Sequence, residues 1–319
     1  MGPGGAVGAV IPMEGSGRRP DSQPLPERPS RGMFRPMRAA LLTTLFVPLL
    51  LALATAPAQA VMRGRVASDP NGVRSVAVRV ESSRGELCSG AVIAPDLVLT
   101  AAHCVTEAAA YRVVAVDRGF KPTIVRAIAV ATHPAFVPGT TPRTQPGVDL
   151  AILRLEAPLG PDFRPLDPRG ATAVGAGEAV AIAGFGLSDG GRGTRSARTL
   201  RQANVLALGT LQVANQVMVV VDGERLAERP GAGACRGDSG GPVFRGGGAG
   251  GYQLLGIISW SSGAMNADRS ACGGITAVTP VAEHASWIAQ RSAELRRLAP
   301  RRPETPAAAV GPVMDWAAR

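Results

Sequence analysis

Short apolar runs punctuated by glycine and proline recur along the chain from residue 73 onward. Residues 73–80 (V-R-S-V-A-V-R-V) nearly alternate, the pattern of a half-buried strand. Residues 91–94 and 97–99 form two further runs broken by Pro95-Asp96, and 111–116 and 124–130 are again β-like. A loop from His133 to Gly147 holds four prolines and leads into the apolar run 150–155. The second half repeats the style at 179–183, 206–211, 216–221, 252–260 and 274–281, with a glycine-rich stretch over 184–193. This pattern predicts an all-β protein of two β-rich halves joined near residues 165–171. A single helix is predicted over 281–298, with Val281, His284-Ala285, Trp287-Ile288 and Ala289 on one face.

Composition agrees with many turns and a real core: 40 Gly, 27 Pro and 45% hydrophobic residues in 319. The formal net charge is +10, of which residues 1–60 carry +3 (six Arg, three acidic) and residues 293–319 carry +2 (five Arg, three acidic). The remaining +5 is spread over the middle, with no basic block interleaved with aromatics, so nucleic acid is not an expected partner.

Arg35 and Arg38 precede an apolar stretch over 41–54 and the small-residue site Ala58-Gln59-Ala60, which together read as an export leader removed after Ala60. The apolar stretch is short for a membrane span of about 20 residues, so no stable membrane association is expected after removal. Residues 1–60 are therefore set apart as an N-terminal extension and leader, 61–292 as the folded domain, and 293–319 as a flexible Arg/Pro/Ala tail. Export permits disulfides among the four Cys. Periplasm or exterior is the expected location, and the Ala, Gly, Arg and Pro bias suggests a GC-rich bacterial source.

Three strings carry chemistry: Thr100-Ala101-Ala102-His103-Cys104, Asp149-Leu150-Ala151-Ile152-Leu153 and Cys235-Arg236-Gly237-Asp238-Ser239-Gly240-Gly241-Pro242. A serine hydroxyl is a weak nucleophile and needs a base to take its proton. Histidine suits that task because its unperturbed pKa lies near about 6.5. Singly, each string has a bland reading as a turn or a structural histidine. The same Gly-x-Ser-x-Gly also fits the nucleophile elbow of an α/β-hydrolase, but there the serine comes first and helices alternate with strands. The paired C-x₂-C spacing of a zinc site is missing, and no metal or cofactor is expected.

In their order the three strings resemble the trypsin/chymotrypsin family of serine proteases, whose Ser, His and Asp triad carries out such general-base-assisted attack. The resemblance runs over about residues 61–292 and includes Gly184-Phe185-Gly186, Ser259-Trp260 and Ser286-Trp287-Ile288. It implies two six-stranded antiparallel β-barrels with a C-terminal α-helix, and peptide or protein substrates. It assigns His103, Asp149 and Ser239 to the triad and the amides of Gly237 and Ser239 to the oxyanion hole. It implies disulfides Cys88–Cys104 and Cys235–Cys272, and reads His133 and His284 as structural.

Family members are activated by a new N-terminus pairing with the Asp before the catalytic Ser, here Asp238. A cut after Ala60 would supply Val61, and a cut after Arg65 would supply Val66. Counting back from Ser239 puts Gly233 at the base of the primary pocket, with Ser259, Trp260, Ser261 and Gly274 along its walls. An uncharged base predicts small to medium apolar side chains before the cleaved bond. The alternative is a protease-like binding protein without catalysis.

Overall fold

A computed structural model describes residues 61–188, 198–246, 251–266 and 272–298. The expected leader, the expected 293–319 tail from residue 299 onward and part of the 184–193 stretch lie outside the described residues, while residues 293–297 continue the closing helix rather than a flexible tail.

Strands dominate. β1 (Arg65–Val66) precedes β2 (Ala77–Ser82), β3 (Leu87–Ala94), β4 (Leu97–Thr100), β5 (Tyr111–Val116), β6 (Pro122–Thr132) and β7 (Ala151–Leu155). β2 to β7 close an antiparallel barrel in the order β2-β3-β4-β7-β6-β5. β8 (Ala179–Gly184), β9 (Arg201–Gln212), β10 (Gln216–Val221), β11 (Pro242–Gly246), β12 (Tyr252–Gly263) and β13 (Gly273–Pro280) follow. They run β9-β10-β13-β12-β11-β8, and the β8–β9 pairing closes a second six-stranded barrel, with β1 added outside on β9. The two β-barrels and C-terminal helix are the chymotrypsin-like fold.

Closure leaves few open edges, which β-rich sequences must otherwise protect. β4 reads L-V-L-T and is buried throughout, as a strand inside a covered barrel wall must be. The core of the first barrel continues through Phe185, Phe244 and Ile257 to Ile288 and Leu295 of the helix, and a second core inside the other barrel includes Val61, Ile182, Val220 and Val278. Each buried Val, Leu or Ile contributes roughly 1.5–3 kcal/mol of transfer free energy.

The helix α1 (Ala285–Arg297) follows a 3₁₀ turn over Ala282–His284, so regular α-helix begins four residues later than the periodicity predicts. Residues 73–80 also differ from the expected strand. Val73–Ser75 is a 3₁₀ turn, because Ser75 Oγ donates to the Gly72 carbonyl at 2.8 Å and Arg74 Nη2 to the Ala67 carbonyl at 2.6 Å. Such local bonds compete with strand pairing. The sequence pattern does not predict β11; its first residue is proline, which tolerates only such a terminal place. No helix of the described residues is long and apolar enough to cross a membrane.

Candidate active site

Each site residue sits at the end of a strand or on a tight turn. β4 ends at Thr100, and the 3₁₀ turn Ala102–Cys104 then presents His103. Asp149 lies two residues before β7 and is wholly buried. Ser239 occupies the turn between Cys235 and the start of β11.

Asp149 Oδ1 accepts from the His103 backbone N–H at 3.0 Å, and Oδ2 accepts from His103 Nδ1 at 2.8 Å. A carboxylate can only accept here, so Nδ1 carries a ring proton directed at Asp149. The Ser259 hydroxyl adds a third donor, 2.6 Å from Asp149 Oδ2. Burial alone would push Asp149 up, but the His103 charge and the hydrogen bonds from His103 and Ser259 outweigh it and hold the carboxyl below its ordinary range. Ser239 Oγ donates to the Ser259 carbonyl at 3.2 Å in this rotamer rather than to the imidazole.

The nucleophile turn is braced from the first barrel. Buried Ser89 donates from Oγ to the Gly237 carbonyl (2.9 Å), its Oγ accepts from Phe185 N (2.9 Å), and its N–H donates to the Ser239 carbonyl (2.8 Å). Thr100 Oγ1 donates to the Ser89 carbonyl at 2.8 Å. The amides of Asp238, Gly240 and Gly241 are all bonded within the protein. Those of Gly237 and Ser239 have no acceptor among the described residues, which leaves two open donors in the turn that carries the hydroxyl. Gly237 holds φ +95°, a conformation that glycine adopts readily.

Asp238 is fully buried and accepts from Gly186 N (2.8 Å), Cys235 N (2.8 Å) and the backbone of Val61. Burial pushes its pKa up to about 7 against the pull of those donors. Val61 itself is fully buried and has φ +48°, a rare conformation for a β-branched residue.

Gly233 bridges to Met62, donating to its carbonyl at 3.3 Å, and Ala234 N donates to Thr276 Oγ1 at 2.9 Å. Ser261 pairs with Thr276, and Gly274 follows the Gly273 that pairs with Gly263. The Met62 side chain packs on Leu187, Cys235 and Cys272. Trp260 is half-buried. Ser259, expected among pocket residues, serves Asp149 with its hydroxyl and faces Ser239 with its carbonyl.

Disulfides join Cys88 to Cys104 and Cys235 to Cys272. Cys88, His103 and Cys104 lie close enough to suggest a metal cluster, but both sulfurs are spent in the disulfide and offer no thiolate. His133 donates its N–H to the Leu150 carbonyl (2.9 Å), accepts from Ala135 N at Nδ1 (3.2 Å) and packs on His284 and Trp287, a structural role. Sequence reasoning does not single out Ser89, the Ser259 hydroxyl or Met62 for these roles. Their one signal is a polar or thioether side chain inside an otherwise apolar strand or at a loop.

A family model described as Trypsin matches residues 62–288. Human granzyme M is 30% identical over 227 residues, 66% of this chain and 80% of that protein. Trypsin alpha-4 of Lucilia cuprina is 29% identical over 238 residues, 68% of this chain and 88% of its own. A trypsin-like protease of Streptomyces glaucescens is 30% identical over 222 residues, 65% and 75% respectively.

Proposed function

The chain belongs to the trypsin family, and on that premise we propose that it is a secreted serine endopeptidase working through an acyl-enzyme on Ser239. The observation that carries this reading is the run of contacts from Ser239 Oγ to the Ser259 carbonyl, from the Ser259 hydroxyl to Asp149 and from Asp149 to His103 Nδ1, with two open amides in the serine's own turn.

In the proposed cycle Ser239 turns from the Ser259 carbonyl to the imidazole. Its oxygen attacks the scissile carbonyl as Nε2 takes the proton. The tetrahedral oxyanion is held by the Gly237 and Ser239 N–H groups, each donor worth about 10²–10³ in turnover. Nε2 then passes its proton to the leaving amine, the C–N bond breaks, and an ester to Ser239 remains. Water, deprotonated by the same nitrogen, cleaves the ester and restores the serine.

Activation follows from a cut after Ala60. The new Val61 ammonium replaces an amide donor at Asp238 and pairs with its carboxylate, while the buried side chain stays in the second core. The cut also removes the constraint that imposes φ +48° on Val61. Val66 is a poorer candidate, since it is exposed and tied into β1 opposite Arg201. N-terminal sequencing of the exported protein tests this: a start at Val61 supports it, and any other start removes it.

For specificity we propose small to medium apolar side chains before the scissile bond, supported by an uncharged pocket around Gly233, Thr276 and Gly274. The substrates are then peptides or proteins of the periplasm or the exterior. A non-catalytic binding reading has one observation on its side, the Ser239 rotamer directed at Ser259. A burst of product from an activated ester, lost in His103→Ala, separates the two: no burst in the Val61-starting protein favours binding.

A further inference from the structure

We infer that Arg143 selects peptides bearing an acidic side chain at the second or fourth residue before the scissile bond. The inference rests on the endopeptidase reading and deepens it. Arg143 lies in the loop between β6 and β7. The loop's buried Gln145 donates from Nε2 to the Val137 carbonyl (2.9 Å) and Thr140 Oγ1 (2.7 Å), and accepts at Oε1 from the amides of Val137 (3.0 Å) and Gly147 (2.9 Å). All the side chain's donors and acceptors are used, so the loop is pinned from within. Asn215 Nδ2 donates to the Gly147 carbonyl at 2.6 Å and ties the loop to the turn between β9 and β10.

On this rigid base the exposed Arg143 guanidinium lies over the Trp260 ring, 5.1 Å from its centroid, and donates from Nη2 to the Ser261 carbonyl at 3.2 Å. No carboxylate pairs with it among the described residues. One of its five N–H donors is engaged, and the others remain able to take a carboxylate in the forked geometry that arginine favours.

A substrate would meet this group. β11 accompanies β12 only as far as Ile257, so beyond it β12 presents Ser259 to Gly263 along the side where Ser239 lies. An extended peptide added at such an edge turns successive side chains to opposite faces. With the first residue before the scissile bond turned into the pocket at Gly233, the second and fourth share the other face. Arg143 reaches this stretch of β12 from the first barrel, at the Ser261 carbonyl and the Trp260 ring.

The test uses the Ser239→Ala protein, which binds peptides without cleaving them. It is titrated with extended peptides that differ only in Glu against Gln at the second or the fourth position. One Glu peptide should bind about fivefold tighter at low salt, as a single solvent-touched ion pair allows. The difference should shrink with added salt, vanish in Arg143→Ala and persist in part in Arg143→Lys. Equal binding of the Glu and Gln peptides, no saturable binding, or a Glu preference that survives Arg143→Ala overturns the inference. Since only binding is read, the result is independent of turnover, and failure of the protease reading shows separately as a wild-type enzyme without hydrolysis.

Discussion

The Ser259 hydroxyl donates to Asp149 Oδ2 at 2.6 Å, the same oxygen that accepts from His103 Nδ1. It thereby helps keep Asp149 ionised in a site where burial pushes the other way. A hydrogen bond to a charged group is worth roughly 1.5–3 kcal/mol. Ser259→Ala should therefore lower kcat at least about tenfold with little change in KM. Unaltered kcat would show that the His103 contacts alone suffice.

Asp238 gives the uncut chain a distinctive pH response. Its folded pKa is raised to about 7, whereas an unfolded aspartate titrates near about 3.9. The folded state thus holds a proton that the unfolded chain has released. That stabilisation is complete below about pH 4 and is lost as pH rises through about 7. His133, whose pKa is lowered to about 4 chiefly by burial, contributes the opposite slope below about pH 6.5. The readout is the difference between the uncut protein and its Asp238→Asn variant in urea melts from pH 5 to 8. The wild type should lose ground to the variant as pH rises, and parallel curves would refute the prediction. In the Val61-starting form the ammonium pairs with the carboxylate, and the wild type should be the more stable of the two across that range.

Gly240 has φ +84°, and a Cβ there would overlap Thr100 Oγ1 and the Ser89 carbonyl. The contacted groups are the braces of the nucleophile turn, so they cannot yield without moving Ser239. Gly240→Ala should destabilise the protein by more than about 3 kcal/mol, seen as a lower denaturation midpoint. A midpoint within error of wild type would contradict that packing.

Gly233 offers room where Gly240 does not: a Cβ would sit 3.4 Å from Thr276 Oγ1 and 3.5 Å from the Gly274 carbonyl, ordinary contact distances. Gly233→Asp should therefore fold and move the preference before the scissile bond toward Arg and Lys by at least about tenfold. A peptide library still cut after apolar residues would place the pocket base elsewhere.

The legible part of this molecule is the part carried by short contiguous strings. His103, Asp149 and Ser239 each sit inside one, and the strand pattern of alternating or continuous Val and Leu locates most of both barrels. What cannot be read depends on contacts between distant segments. Ser259 belongs to Asp149, 110 positions away, and Ser89 braces Gly237 across 148. Ser89 does not differ in sequence from any other strand serine, and Ser259 stands out only within Ser259-Trp260, where nothing marks its hydroxyl as a partner of Asp149. β11 is hidden by Pro242, which argues against a strand until its place at the strand's start is known. Residues 73–75 read as strand because alternation ignores the local bonds of Ser75 and Arg74.

The central claim is that Ser239 is a nucleophile activated by His103, and labelling with a fluorophosphonate tests it most directly. The Val61-starting protein should become covalently modified at Ser239, and modification should disappear in both Ser239→Ala and His103→Ala. Absence of labelling in the folded, Val61-starting wild type, or labelling that persists without His103, would contradict the account.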